Sequence, residues 1–488
     1  MLDFMRRNAE KIIWLIVIAF VLSLGILSFN RPSRGSSRPG APIDPAALAA
    51  IDGRPVDTRL FNRMYMIGLR GYVEPGQRDQ LDPKTTAYVA HLALLQTIDT
   101  EKKLDYAKRL KIKVRRGEIN QQIEALKTSY QLSSDEELKN LLSANGLDYK
   151  TFRQEIKQEL MLNKLQENIL RAVAVDEQDV KNQYKQVRAR HILIAFNRPG
   201  LADRPEKEKI KLAGDVAADL YDQLLKGADF AELAGRYSDD TGSALQGGDL
   251  GFFGVDAMVP EFETVAFRLE PGQISKPFQT VYGHHIVKVE EIKQDEIPLD
   301  VDEQELQKEL LAKKQNNALQ QFSSRLQSEY ETKILYPEFQ AYEQKINGNL
   351  SAALDLYRAL CAQNPQSPAP YLFTAEIYEL LGQNAEALAE YNKALLVQKL
   401  NPALKTPYIH FYLANYYAKQ KQNAKAVQEL QLAEAAVSDN LNILERIKDQ
   451  YTKLNSAANA DKIDVKIRAL EQARTAAQTA GEELQFAD

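Results

Sequence analysis

The strongest pattern along the chain is an uncharged apolar run over residues 12–29, IIWLIVIAFVLSLGILSF. At about 1.5 Å per residue, a helix of this length just crosses a hydrocarbon core of roughly 30 Å. No polar face interrupts the run, which disfavours a buried helix of a soluble domain. A cleaved signal peptide is the alternative, although its apolar region would span only about 7–15 residues. We favour an uncleaved transmembrane helix, because residues 26–29 continue the run beyond the small residues Ser23 and Gly25.

The segments on either side of this run are polar. Residues 1–11 form a basic N-terminal segment, and residues 30–46 are rich in Pro, Ser, Gly and Arg, which is typical of a linker. Three basic residues precede the run and three follow it, so the charges do not decide the orientation of the helix. Whether the run is an anchor or a signal peptide, we expect the rest of the chain to be exported.

A helical pattern dominates residues 47–187. A short strand with an Asp-Gly turn is predicted near its start, in LAAIDGRPV. Apolar residues such as Leu92, Leu95 and Leu104 then recur near helical spacing. A long helix is also predicted over residues 302–332, and it ends in the strand-like sequence KILY.

The pattern changes at Arg188, where predicted strands and helices alternate. ARHILIAF indicates a buried strand, and helices follow near residues 206–226 and 229–237. A strand at DLGFFG, a short helix at PEFETVAFRL and strands at ISKPFQTVYG and HHIVKVEEI complete the series. The order β-α-α-β-α-β-β predicts one α+β domain over residues 188–293.

Residues 337–470 contain an internal repeat. Equivalent Gly, Ala and Tyr residues recur at an interval of 34 in the first two units: Gly348 and Gly382, Ala353 and Ala387, Tyr357 and Tyr391. A helix-turn-helix unit with this period is typical of tetratricopeptide repeats, and an unrelated helical bundle is the alternative. Residues 471–488 are predicted to be a tail. The whole chain is therefore expected to be multidomain and mostly α, with one α+β domain, a transmembrane helix, an N-terminal helical domain and a C-terminal α-solenoid.

Composition excludes several kinds of chemistry. The chain has 488 residues with one cysteine, Cys361, which excludes an intramolecular disulfide framework and a cysteine-rich zinc site. Five histidines leave little material for a metal cluster, and we expect no metal. The net charge of −5 argues against nucleic acid as a partner. That average conceals a basic first forty residues, since six Lys or Arg stand there against two Asp or Glu.

Four segments within residues 188–293 resemble the parvulin-type peptidyl-prolyl isomerases in their bacterial form. They are RARHILI, YSDDTGSALQGGDLGFFG, MVPEFETVAFRLEPGQIS and FQTVYGHHIVKVEEI, in the order of the family. The resemblance implies cis–trans isomerisation of X–Pro bonds without cofactor or ATP. It also implies site residues, with catalytic positions at His191, Asp240, Thr280 and His285 and a proline pocket at Leu250, Phe253, Met258 and Phe262.

The histidines of this domain differ in what the sequence predicts for them. His191 alone on an apolar strand would more often be a core residue, but His285 and Asp240 at matching positions favour a site. We expect the two histidines to lie on neighbouring central strands and to hold a hydrogen-bond network that tunes Asp240, rather than to act as general bases. His284 should face the other side of the sheet, because side chains alternate along a strand.

The residues before this domain carry a second resemblance. AAIDGRPVDTRLF, YAKRLKIKVRRGEINQQI, LLSANGLDYKTFRQEIKQELMLNKL and VDEQDVKNQY resemble the N-terminal chaperone region of periplasmic folding factors of the SurA and PpiD type. The resemblance implies that residues 302–336 return to complete the domain of residues 47–187. The repeats and the single isomerase unit depart from the PpiD pattern.

These resemblances imply a single-pass protein of the bacterial inner membrane with most of its chain in the periplasm. It would act as an isomerase and a chaperone. The expected partners are unfolded exported proteins with X–Pro bonds, the bilayer through residues 12–29, and a protein bound by the repeats. Two alternatives stay open: a parvulin fold that binds chains without catalysis, and a scaffold at the membrane that works through its repeats.

Overall fold

A computed structural model describes residues 47–70, 81–144, 147–201, 204, 206–296, 298, 301–437 and 439–485. The predicted transmembrane helix and the segments that flank it, residues 1–46, lie outside the described residues. Within the described ranges, no helix is both long enough and apolar enough to span a bilayer. The described residues of Lys102–Glu331 form one compact unit, and those of Pro32–Glu101 with Thr332–Asp488 form a second.

The secondary structure is mostly helical. The strands are β1 (Ala49–Ile51), β2 (Arg54–Pro55), β3 (Lys185–Ala195), β4 (Asp249–Phe253), β5 (Phe278–Gln279), β6 (Gly283–Gln294) and β7 (Thr332–Ile334). The helices are α1 (Thr58–Arg70), α2 (Pro83–Arg109), α3 (Arg116–Ser129), α4 (Asp135–Ala144), α5 (Tyr149–Leu170), α6 (Glu177–Asn182), α7 (Glu206–Leu225), α8 (Phe230–Tyr237), α9 (Pro260–Ala266), α10 (Glu303–Glu329), α11 (Pro337–Ile346), α12 (Leu350–Gln363), α13 (Pro368–Leu380), α14 (Asn384–Leu400), α15 (Tyr408–Lys419), α16 (Asn423–Ala435), α17 (Leu441–Lys453) and α18 (Ala457–Gln485).

A small antiparallel sheet of order β2-β1-β7 joins distant parts of the chain in the second unit. The predicted Asp-Gly turn connects β1 to β2, with Asp52 at φ 47° and Gly53 at φ 75°, as a two-residue hairpin turn requires. Strand β7 pairs with β1 in register, Ala50 opposite Lys333. The segment after the α+β domain thus returns to β1, the first of the described strands.

The helices of the first unit make two sets of packing contacts. Helices α3, α4 and α5 bury a cluster that includes Ile123, Leu142 and Phe152. Asp148 caps α5 by accepting from two of its first backbone N–H groups. Helix α10 packs along α5 and α6, and Phe322 in it contacts the ring of Tyr106 at 5.2 Å between centroids.

The α+β domain has a sheet of order β4-β3-β6-β5 in which every pairing is antiparallel. Alternation along β3 gives the sheet two buried faces. Ile192 and Ile194 pack against α7 and α8, whereas Val187 and Ala189 pack against α9. The predicted order of strands and helices is confirmed. Strand β5 is shorter than the sequence suggested, with two residues.

Helices α11 to α18 of the second unit pack as consecutive hairpins: α11 with α12, α13 with α14, α15 with α16 and α17 with α18. Each hairpin turn contains one residue with positive φ, and these residues are Gly348, Gly382, Lys421 and Asn455. Two of them are glycines, which adopt this conformation without strain. Small buried residues such as Ala353 and Ala387 permit the helices to approach closely. The last helix continues to Gln485, so residues predicted to be a tail extend it.

Candidate functional site

The predicted histidine pair lies at the centre of the four-stranded sheet. His191 on β3 stands opposite Val287 on β6, and Leu193 stands opposite His285, so the two histidines are diagonal neighbours. Their rings stack with centroids 5.6 Å apart and planes 21° apart. The prediction that they occupy neighbouring central strands is confirmed. Both side chains are almost fully buried.

A continuous line of hydrogen bonds passes through the pair. Thr280 Oγ1 lies 2.8 Å from Nε2 of His285, and the Nδ1 atoms of the two histidines are 3.4 Å apart. Nε2 of His191 lies 2.7 Å from Oδ2 of Asp240. All four residues predicted to be catalytic therefore belong to one network.

The direction of this network follows from its ends. The Asp240 carboxylate only accepts, so His191 must donate from Nε2 and accept at Nδ1. His285 then donates from Nδ1 and accepts at Nε2, which leaves the hydroxyl of Thr280 as its donor. Thr280 Oγ1 accepts in turn from the backbone N–H of Tyr282, at 3.1 Å. One set of tautomers satisfies every contact, and in it both histidines are neutral.

Burial keeps the histidines neutral. It lowers the pKa of His285 to about 3, and the neighbouring His191 acts in the same direction. Burial also lowers the pKa of His191, although the Asp240 carboxylate opposes this effect. For Asp240 itself, burial raises the pKa, but hydrogen bonds from Ser243 and His191 outweigh burial and hold the pKa below its usual value. The site thus combines two neutral imidazoles with one carboxylate.

The loop that carries Asp240 is fixed to β3 by the two residues directly before it. The Asp239 carboxylate accepts from the backbone N–H of Ala195 at 2.8 Å, and Ser238 Oγ accepts from that of Leu193 at 3.1 Å. The side chain of Asp240 is 31% exposed, so its carboxylate is held in place and still meets solvent. A ligand above the sheet can therefore reach it.

Ser243 is a member of the network that sequence reasoning missed. Its hydroxyl donates to Asp240 Oδ2 and lies 3.2 Å from Nε2 of His191. The backbone N–H of Gly242 donates to the other carboxylate oxygen at 3.1 Å. The spacing of three residues after Asp240 was an available signal, because a short turn often returns a Ser hydroxyl to such an acid.

An apolar wall stands beside the imidazoles. The ring of Phe262, 2% exposed, meets both histidine rings edge to face, with centroids 5.6 Å and 5.4 Å away. Phe253 lies next to it, and the partly buried Leu250 and Met258 pack against the same cluster. The structure thus brings all four predicted pocket residues together.

Phe278 is the second residue that sequence reasoning missed in this region. Its ring stacks on His285 with centroids 5.6 Å apart and also contacts Phe262. Its position on β5, two residues before Thr280, was a signal for a side chain on the same face.

The remaining histidines and the cysteine lie elsewhere. As predicted, His284 faces the opposite side of the sheet from His285, against Phe196 and Gly214. His410 pairs with Glu429 in the hairpin array, with 2.7 Å between nitrogen and oxygen. Cys361 is buried in α12, and burial raises the pKa of its thiol.

Comparison with known protein families identifies two regions. Residues 191–291 match the family described as the PPIC-type PPIASE domain, and this range contains all eight predicted site residues. Residues 1–166 match the SurA-like N-terminal domain.

Several similar proteins are named foldase protein PrsA. The one from Caldanaerobacter subterraneus subsp. tengcongensis is 39% identical over 150 residues, which cover 29% of this chain and 44% of that protein. The one from Geobacillus sp. is 36% identical over 204 residues, covering 41% and 64%. PrsA 2 of Bacillus anthracis is 38% identical over 181 residues, covering 37% and 54%. The chain spans less than two thirds of the length of each of these relatives.

Solved structures of PrsA proteins are also similar in sequence. Peptidylprolyl isomerase PrsA from Bacillus anthracis is 31% identical and covers 52% of this chain and 97% of its own, with a TM-score of 0.20. PrsA from Bacillus subtilis is 28% identical and covers 50% and 85%, with a TM-score of 0.18. These TM-scores are too low to support a conclusion about fold.

Proposed function

We propose that this chain, which contains a PPIC-type isomerase domain over residues 191–291 and a SurA-like N-terminal domain over residues 1–166, is a peptidyl-prolyl cis–trans isomerase and a chaperone of the foldase type. The observation that carries the proposal is the network from Thr280 to Asp240 beside the buried ring of Phe262, inside the matched domain. We assign the catalytic role to Asp240 and positioning roles to the two histidines and Thr280.

The reaction needs no nucleophile. An X–Pro bond turns slowly because its partial double bond must be broken, with a barrier of about 18–20 kcal/mol. The apolar wall around Phe262, Met258 and Leu250 suits the proline ring and removes water from the amide. An apolar surrounding favours the twisted amide, whose charges are smaller than those of the planar form. Lowering the barrier by about 6 kcal/mol would accelerate rotation roughly 10⁴-fold.

The Asp240 carboxylate acts on the same difference in charge. A planar amide carries partial negative charge on its carbonyl oxygen, and a fixed carboxylate nearby destabilises that form relative to the twisted one. The effect requires that Asp240 stays charged and does not move. Ser243 and His191 meet both conditions through their hydrogen bonds to Oδ2.

An isomerase assay on the full chain with an X–Pro peptide tests the proposal. We expect acceleration over the uncatalysed rate and no step in kcat/KM centred near pH 6.5, because Asp240 stays charged there and burial holds the pKa of both histidines below its usual value. Below about pH 6.5 the histidines of the unfolded chain bind protons, whereas the buried histidines of the folded domain do not. Acid therefore destabilises the domain. Circular dichroism at each pH therefore accompanies the assay.

Two outcomes would count against these assignments. A rate equal to the uncatalysed one would favour a parvulin fold that only binds chains. A step in kcat/KM centred near pH 6.5, with the fold intact, would show that activity depends on a histidine that titrates in the free enzyme.

We also propose that the apolar run of residues 12–29 is an uncleaved anchor in the bacterial inner membrane. Its length and lack of charge support this assignment. Exported, unfolded proteins would then be the clients of the isomerase and of the SurA-like domain. The hairpin array would belong to the tetratricopeptide type, which the recurrence at 34 residues supports.

Mass spectrometry of the chain purified from bacterial membranes tests the anchor. We expect an N-terminal peptide that begins before residue 12 and a chain that is extracted only by detergent. A mature chain that begins near Ile26 would show that the run is a cleaved signal peptide.

A further inference from the structure

The hairpin array of the second unit presents one surface built by the first helix of each hairpin, α11, α13, α15 and α17. We call this surface the hairpin groove. Four side chains recur along it: Tyr342, Glu376, Tyr412 and Arg446. The first two stand six residues before the positive-φ residue of their own hairpin turn, and the last two stand nine residues before theirs. A difference of three residues is close to one helical turn, so all four lie on corresponding faces.

The start of α2, residues 82–91 of the same unit, contacts each of these four side chains. Asp82 Oδ2 lies 2.9 Å from Nη1 of Arg446, and its other oxygen accepts from the hydroxyl of Tyr412. Lys84 lies over the ring of Tyr412, 4.2 Å from the centroid. Residues 82–84 therefore contact both α17 and α15.

The contacts continue along the groove. Nζ of Lys84 lies 3.1 Å from Oε1 of Glu376 on α13. The ring of His91, one further step along α2, lies 5.2 Å from that of Tyr342 on α11. One helix of the chain thus touches the first helix of every hairpin, in reverse chain order.

The contacts at the start of α2 are buried and charged. Asp82 is 7% exposed and His91 is 4% exposed. Burial raises the pKa of Glu376, but Lys84 and Lys345 outweigh it and hold that pKa below its usual value. A buried ion pair is costly unless both partners are in place, so the groove discriminates strongly between occupants.

The groove recognises a helix N-terminus in particular. Asp82 accepts from the backbone N–H of Lys84 at 2.9 Å, which is the geometry of a helix cap, and Pro83 is the first helical residue. The same carboxylate therefore starts the helix and binds Arg446. A ligand would need an acid at the cap and a cation two residues later, as in Asp82-Pro83-Lys84.

We propose that the hairpin groove is a recognition site for a helix that begins with the sequence Asp-Pro-Lys, and that its occupant is the start of α2 in the same chain. The array then binds residues 82–91 of its own chain, and we call this intramolecular contact the clasp. An external partner of the same chemistry has to displace α2, whose covalent attachment gives it a high effective concentration. This proposal does not depend on the isomerase assignment.

Hydrogen exchange on the full chain tests the clasp. Arg446→Glu places a negative charge against Asp82, and we expect the amides of residues 85–98 to exchange at least tenfold faster. Amides of β3 and β6 should be unchanged. Lys453→Glu on the same helix is the matched control, because Lys453 pairs with Asp449 across an exposed surface.

A second substitution separates recognition from misfolding. The double variant Arg446→Glu with Asp82→Asn should recover part of the lost protection, because Asn still caps α2 and no longer repels the new carboxylate at position 446. Unchanged exchange in Arg446→Glu, or the same loss of protection in the double variant as in Arg446→Glu alone, would overturn the proposal.

A peptide of residues 81–96 identifies the occupant. In Asp82→Arg the chain's own helix is displaced while Arg446 stays available, so the labelled peptide should bind this variant at least tenfold more tightly than the wild type in fluorescence anisotropy. Equal affinity for both chains would show that α2 does not occupy the groove in solution.

Discussion

Asp240→Asn is expected to lower kcat/KM for X–Pro isomerisation by about a hundredfold while the chain stays folded. The substitution keeps the shape of the side chain and removes its charge. Loss of one preorganised polar group at a reacting centre typically costs on the order of 10²–10³ in rate, and a hundredfold corresponds to about 2.7 kcal/mol. The Asn amide also presents an NH₂ group where Ser243 and His191 now donate. The measurement is a protease-coupled or NMR exchange assay on the full chain.

Asp229→Asn is the matched control for this variant. Asp229 lies in the same domain and caps α8 by accepting from the backbone N–H of Glu232 at 2.8 Å. Since Asn caps helices as well as Asp does, this variant should keep the wild-type rate and stability. If Asp240→Asn also kept the wild-type rate, the carboxylate would have no catalytic role, and the alternative of a domain that binds chains without catalysis would gain support.

Most residues of the candidate site could be predicted from the sequence, because strand alternation and the family resemblance indicate the same residues. His285 and His284 were assigned to opposite faces from alternation alone, and the structure confirms both faces. Ser243 and Phe278 were not predicted. The position of Ser243 depends on how its loop folds back onto the sheet, and that depends on distant contacts such as the one from Asp239 to Ala195. Phe278 lies on β5, a strand of two residues.

Helix α2 shows that helical periodicity alone does not identify which side chains are buried. Leu92 and Leu95 were selected as apolar positions of a helix, and the helix is there, but the two side chains are 37% and 43% exposed. The polar side chain of His91 beside them is buried instead, against Tyr342. Its partner lies more than 200 residues away in the sequence, so local patterning carries no information about this pairing.

The hairpin array was predicted more completely than its occupant. The interval of 34 residues located the turns at Gly348 and Gly382, and Lys421 and Asn455 also have positive φ in the turns of the other two hairpins. Nothing in that interval indicates that the chain supplies its own ligand. The pairing of Asp82 with Arg446 depends on the three-dimensional course of the chain, since each residue alone is an ordinary charged residue in a helical segment.

Gly248→Ala is expected to destabilise the isomerase domain by about 3–5 kcal/mol and to abolish activity, the largest effect of any single substitution considered. Gly248 has a φ of 78°, and an added Cβ would lie 2.3 Å from the carbonyl oxygen of His191. That oxygen belongs to the backbone of a central strand and cannot rotate away. The same glycine accepts from the backbone N–H of His191 at 2.8 Å, so any shift moves the histidine and with it the network to Asp240.

Gly251→Ala separates this clash from the cost of backbone conformation. Gly251 has a φ of 67°, similar to that of Gly248, but apart from its two chain neighbours no residue that the structure describes has an atom within 4 Å of an added Cβ. Only the strain of a left-handed conformation applies there, about 1–2 kcal/mol, and the histidine network stays in place. Because unfolding of a multidomain chain is not a two-state process, the measurement should report on the domain itself, by pulse proteolysis in urea with detection of peptides from β3 and β6. Equal shifts of the urea midpoint in the two variants would show that the backbone of His191 yields to an added methyl group, and the close approach of Gly248 would then not be what fixes the position of the site.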